Sequence, residues 1–162
     1  MAKTLLILRH AKSSWAEADK SDKDRALKAK GISDIVNTAR SFAPKVQGLD
    51  LIITSSANRA VHTAILFAET IGFSHDKIRI EPLVYQADEG ELLEMIKSLS
   101  DVHQCVMVVG HNPTLTYLVN RFVADRIHEL PTSGLVGVEF NINRWSELSA
   151  EKVSSVFRSF NW

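Results

Sequence analysis

Thr4-Leu5-Leu6-Ile7-Leu8, followed at once by Arg9 and His10, is the stretch on which the fold of this chain turns. An apolar run of that length without alternation suits a strand covered on both faces of a parallel sheet, where neither face meets water. Leu49-Asp50-Leu51-Ile52-Ile53 and Cys105-Val106-Met107-Val108-Val109 repeat the pattern. Apolar residues then fall at helical spacing in Ile32, Ile35, Val36, Ala39, Phe42 and Ala43, and again in Ala60, Thr63, Ala64, Phe67, Ala68 and Ile71. Leu92 to Leu99 and Leu115 to Val123 predict two further helices, whereas 136–142 and 153–160 alternate and read as strands nearer a sheet edge. Strand and helix taking turns predicts an α/β fold: a single three-layer αβα domain with a mostly parallel central sheet.

Composition sets the limits around that reading. The chain has 162 residues, and no repeat, low-complexity tract or long linker divides it, so one domain over 1–162 is expected. Nineteen Lys and Arg balance nineteen Asp and Glu, which removes any whole-protein field for nucleic acid or an anionic membrane. The N-terminal apolar run is too short for a signal peptide or a membrane span, so a cytoplasmic location is expected. Cys105 is the single cysteine and sits in an apolar run, which makes it a core residue rather than a nucleophile. The polar stretch from Ala16 to Lys30 reads as a solvated loop before the first helix.

In open α/β sheets ligands bind beyond the carboxyl ends of the strands. After the first strand stand Arg9 and His10; after the second comes Ser55-Ser56-Ala57-Asn58-Arg59; after the third comes Gly110-His111-Asn112-Pro113. Ser56 reads as a helix cap that places Arg59 in a first turn, and Asn112 as a cap with Pro113 in the first helical position. Gly110 would let the chain turn before His111. Two helix N-termini beside Arg9, His10, Arg59 and His111 would make a compact site for a dianion, with phosphate the obvious candidate. His62, His75, His103 and His128 lack a tight ligand spacing, so no metal centre is expected.

These residues resemble the motifs of the histidine phosphatase superfamily, whose fold is phosphoglycerate mutase-like. Its Arg-His-Gly/Ala element stands here as Arg9-His10-Ala11, its Ser-Ser-x-x-Arg-Ala-x-x-Thr-Ala element as residues 55–64, and its Gly-His-Asn element as Gly110-His111-Asn112. Asp22 to Gly31, with the short chain, is similar to the small SixA-type phosphohistidine phosphatases. The resemblance implies that His10 is the nucleophile, transiently phosphorylated, that Arg9, Arg59 and His111 hold the phosphoryl oxygens, and that no cofactor takes part. His10 would then act neutral and His111 protonated, with a bound dianion favouring the latter. Arg25 resembles an arginine of the branch and is expected at the phosphate, at the partner protein or in a surface pair with Asp22. Lys12 and Trp15 would border the pocket, while Trp145 and Trp162 are packing residues.

Larger relatives carry a glutamate and an asparagine where this chain has Lys12 and Ala16, and a separate acid that protonates the leaving oxygen. Glu81 and Asp88, with Glu91, are the candidates for that acid, and Tyr85 stands near where many relatives have a carboxylate. A weak acid favours a P–N bond, because imidazole, with a pKa of about 6.5, leaves far more easily than an alkoxide. The expected activity is a metal-independent phosphatase acting on the phosphohistidine of a signalling or phosphotransfer protein, with no nucleic-acid or membrane partner. The alternatives are a phosphomonoesterase for a small phosphorylated metabolite or phosphoserine peptide, and a phosphate-binding module without turnover.

Overall fold

The computed structural model describes residues 2–15 and 21–160; Trp162 and the start of the polar stretch at Ala16, which entered the expectations above, lie outside them. Six strands form one sheet in the order β3-β2-β4-β1-β5-β6. They are β1 (Lys3–Arg9), β2 (Leu51–Thr54), β3 (Ile78–Ile80), β4 (Cys105–Gly110), β5 (Leu135–Phe140) and β6 (Val153–Arg158). Strands β3, β2, β4 and β1 run parallel, and β5 and β6 extend the sheet antiparallel. The helices are α1 (Ala29–Phe42), α2 (Asn58–Ile71), α3 (Leu83–Gln86), α4 (Glu89–Lys97) and α5 (Thr114–Phe122).

The unalternated runs become the covered centre of the sheet. In β1, Leu6 and Leu8 face the cluster built with Ile35 and Ala39 of α1 and Ala60, Ala64 and Phe67 of α2. Leu5 and Ile7 face the opposite cluster, with Leu92 and Ile96 of α4 and Leu115 and Leu118 of α5. Two cores on one sheet are the three layers, and each fully covered Leu or Ile adds about 2 kcal/mol of burial free energy. Among the described residues no helix is long and apolar enough to cross a membrane.

Several local expectations need correction. Strands β5 and β6 are the last two of the sheet on one side, as their alternation predicted, but β5 is covered by β6 and has five of its six residues buried, so only β6 is an edge. Strand β3 and helix α3 were not legible, because three and four residues are too short to show a period. Ser56 does not cap α2: Ala57 holds that position, and the Ser55 hydroxyl accepts from its N–H at 3.1 Å. Pro113, not Asn112, occupies the cap position of α5, although Asn112 Oδ1 still accepts from the Thr116 N–H at 3.2 Å. Gly110 ends β4 without a left-handed turn; a Cβ there would stand 3.2 Å from Val84 Cγ1, so its smallness serves packing.

Candidate active site

Parallel pairing brings the strand ends together. Arg9 of β1 lies opposite Gly110 of β4, and the His10 N–H donates to the Gly110 carbonyl at 3.1 Å. The Ser55 N–H, just past β2, donates to the Val109 carbonyl at 3.0 Å. His10 and His111 therefore lie side by side, with ring centroids 5.2 Å apart. Arg9, His10, Lys12, Arg25, Arg59 and His111 line one cleft, together with Trp15. The sequence-distant basic groups are brought together as expected.

Each of the central side chains is held from behind. His10 Nδ1 lies 2.7 Å from the Ala11 carbonyl oxygen. A carbonyl only accepts, so Nδ1 carries the proton and Nε2 keeps its lone pair. The Ala11 N–H donates to the Thr63 hydroxyl at 2.9 Å, and that hydroxyl donates to the Arg59 carbonyl at 2.6 Å, tying the loop after β1 to α2. His111 Nε2 pairs with the Ser55 hydroxyl at 2.8 Å. Arg9 Nη1 donates to Glu129 at 3.2 Å and to the Leu130 carbonyl at 3.0 Å.

Three polar atoms of these cleft-lining residues are left over. Arg9 Nε, Arg59 Nε and His111 Nδ1 are buried and have no hydrogen-bond partner. A buried unpaired polar atom costs about 1–3 kcal/mol, so three of them on neighbouring residues point to a ligand with several acceptors.

The electrostatics favour neutral rings. Burial pushes His10 down to about 4; the bond to the Ala11 carbonyl opposes that, and Arg59, Arg9 and Arg25 reinforce it. Burial likewise pushes His111 down to about 3, with His10 and Arg59 adding to the effect. The protein groups alone thus hold both histidines neutral, and the protonated His111 expected from sequence needs the charge of an anion beside it. Burial pushes the Cys105 thiol up to about 12, and Asp50 and Glu139 act the same way, so it is no nucleophile at neutral pH.

Arg25 forms the pair with Asp22, at 3.0 Å, and its side chain also lines the cleft. It also donates to the Ser14 carbonyl and the Ser13 hydroxyl, and its guanidinium carbon sits 3.1 Å from the centre of the Trp15 ring. This reach exists because 26–28 lie antiparallel to 12–14, through the Ser14 N–H to Ala26 and Lys28 N–H to Lys12 carbonyl bonds. Gly31 permits the approach, since a Cβ there would stand 2.3 Å from the Lys12 carbonyl oxygen. Asp22, which sequence reasoning treated only as a partner of Arg25, also bonds Arg59 and the Tyr85 hydroxyl. Its signal was its place three residues before Arg25.

The structure brings neither acid candidate into the cleft. The Asp88 carboxylate caps α4 by accepting the Glu91 N–H at 2.8 Å, and Glu91 reciprocates, so both are engaged in a capping box. Glu81 is absent from the cleft lining as well. From that segment it is Tyr85 that approaches, its ring centre 5.6 Å from that of His111.

Comparison with known proteins agrees with this geometry. The family model described as histidine phosphatase superfamily (branch 1) matches residues 5–92. An uncharacterized protein of Mycobacterium tuberculosis (strain CDC 1551 / Oshkosh) is 30% identical over 142 residues, covering 79% of this chain and 84% of its own. A crystal structure of a candidate phosphohistidine phosphatase SixA from Agrobacterium tumefaciens superposes with a TM-score of 0.77 at 28% identity, covering 85% of this chain and 92% of that one. A second SixA candidate, from Nakamurella multipartitia, gives 0.80 at 21% identity, covering 97% and 96%. The fold is the phosphoglycerate mutase-like one expected.

Proposed function

The chain belongs to the histidine phosphatase superfamily, and we propose that it removes the phosphoryl group from a phosphohistidine carried by another protein, through a phosphohistidine on its own His10. The observation that carries this reading is the bond from His10 Nδ1 to the Ala11 carbonyl, which leaves Nε2 unprotonated in a cleft lined by arginines.

In the first step His10 Nε2 attacks phosphorus, the P–N bond of the substrate breaks, and its electron pair goes to the departing ring nitrogen. A phosphohistidine whose second nitrogen is protonated leaves as neutral imidazole, so the step needs no strong acid. That fits a cleft without Glu81 or Asp88 in its lining. In the second step water attacks the phosphorus on His10, releasing inorganic phosphate and returning the ring. Charge on the three equatorial oxygens is met by Arg9, Arg59 and His111, whose buried Nε and Nδ1 atoms are otherwise unpaired. Arginine forks suit this because they bond two oxygens at once. A dianion beside His111 raises its affinity for a proton and makes it a better donor.

Trp15, 71% exposed at the mouth, offers apolar surface to whatever bears the phosphoryl group, which favours a protein over a small metabolite. The test is phosphate release from phosphohistidine proteins, phosphoserine peptides and sugar phosphates side by side, with acid-labile labelling of the enzyme. Preferential turnover of phosphohistidine and a label lost in His10→Ala are expected. Comparable turnover of sugar phosphates would move the reading to a phosphomonoesterase, and binding without labelling would leave a phosphate-binding module.

A further inference from the structure

Arg59 spends both terminal nitrogens on one residue. Its Nη1 donates to the Asp22 carbonyl at 2.7 Å and its Nη2 to the Asp22 carboxylate at 3.0 Å. The side chain of Arg59 is 7% exposed and that of Asp22 45%, so the contact runs from a buried arginine to a loop residue at the surface. The same carboxylate accepts from Arg25 at 3.0 Å and from the Tyr85 hydroxyl at 2.7 Å. Asp22 therefore ties the loop before α1 to α2 and α3 on one side of the cleft.

A guanidinium presents five N–H groups, enough for more than one acceptor. When the terminal nitrogens are anchored by Asp22, the group that remains is the Nε edge, and Arg59 Nε is buried without a partner. We propose, on the reading that His10 attacks a phosphoryl group, that Asp22 is a positioning residue: it grips the end of Arg59 so that the Nε edge is fixed toward the phosphoryl oxygens. The carboxylate suits this task because it stays charged; desolvation acts to raise its affinity for a proton, but hydrogen bonds from Tyr85, Arg25 and Arg59 outweigh that and hold it at about 2. Tyr85 steadies the carboxylate and packs its ring against His111, so a single anion aligns two of the groups around the transferred phosphoryl.

The experiment is a double-mutant cycle read with phosphoramidate and a phosphohistidine peptide as donors. Asp22→Asn should lower kcat at least tenfold while changing KM less than threefold, because a misaimed arginine is felt most where charge builds in the transition state. In an Arg59→Ala background the same substitution should cost less than twofold. A loop held merely for structural reasons would cost the same in both backgrounds, and that result, or an Asp22→Asn enzyme within twofold of wild type, overturns the proposal. Should Asp22→Asn fail to fold, Tyr85→Phe carries the same cycle, with a two- to fivefold loss in kcat that vanishes beside Arg59→Ala; no loss, or an equal one in both backgrounds, is again decisive against it. A wild-type enzyme that labels His10 while the cycle fails removes only Asp22's role, whereas one that never labels removes the function on which it rests.

Discussion

The two ends of β1 each carry buried basic side chains, and they are buried in different ways. At the amino end Lys3 is fully covered, and its Nζ donates to the Asp101 carbonyl at 2.9 Å, the His103 carbonyl at 2.8 Å and Gln104 at 3.5 Å. It also sits 5.3 Å from the ring centre of Trp145, whose indole N–H donates to the same His103 carbonyl at 2.9 Å. At the carboxyl end, six residues along, Arg9 is half-buried and His10 is buried, but Arg9 Nε and its neighbours Arg59 Nε and His111 Nδ1 have no protein partner. A basic group whose donors are all spent within the protein is part of the scaffold. One with donors held in reserve is part of a site, because the fold tolerates their desolvation only where a ligand supplies acceptors.

The largest effect is expected at His10. His10→Ala should reduce turnover about a thousandfold or more while the chemical-denaturation midpoint moves little, since the nucleophile has no substitute. A residual activity within tenfold of wild type would mean that the reserved donors serve another nucleophile. Arg59→Ala and Arg9→Ala come next, each lowering kcat about a hundredfold as one donor to the developing charge is lost. Steady-state kinetics with unchanged kcat and raised KM would make them ground-state binders only.

Lys3→Met should show the reverse signature. Activity should stay within twofold of wild type, while urea unfolding reports a loss of about 1–3 kcal/mol as the carbonyls lose their donor. A folded, equally stable Lys3→Met protein would remove the distinction between the two ends of the strand.

A pH dependence should emerge only below about 6.5. His10 and His111 titrate at about 4 and about 3 in the folded protein against an ordinary 6.5, so between those values the unfolded chain holds more protons. Stability therefore falls as the pH drops from 6.5 toward 4 and 3. Asp22, held at about 2 against 3.8, extends the loss below pH 3.8 by the same sign. Denaturation midpoints at pH 7.5 and 4.5 check it, and in His10→Ala the slope should lessen.

Much of this was legible beforehand. The runs at 4–8, 49–53 and 105–109 announced covered strands because burial on both faces leaves no position for a polar residue. Arg9, His10, Arg59 and His111 were legible because ligand sites in such sheets form beyond strand ends, a rule that needs only strand order. Glu81 and Asp88 were drawn from the segment in which relatives carry their acid, and sequence spacing cannot tell a carboxylate aimed at a cleft from one that caps a helix, as Asp88 does.

The layers, the parallel core and the residues able to meet a phosphoryl group are readable from the chain alone, since these follow from local periodicity and residue chemistry. It took the folded arrangement to show which nitrogen of His10 is free, that protein groups alone favour a neutral His111, and that Asp22 and Tyr85 border the site. Those outcomes depend on desolvation and on contacts between residues far apart in sequence, such as His10 with His111 and Asp22 with Tyr85, and neither is a property of a short stretch of chain.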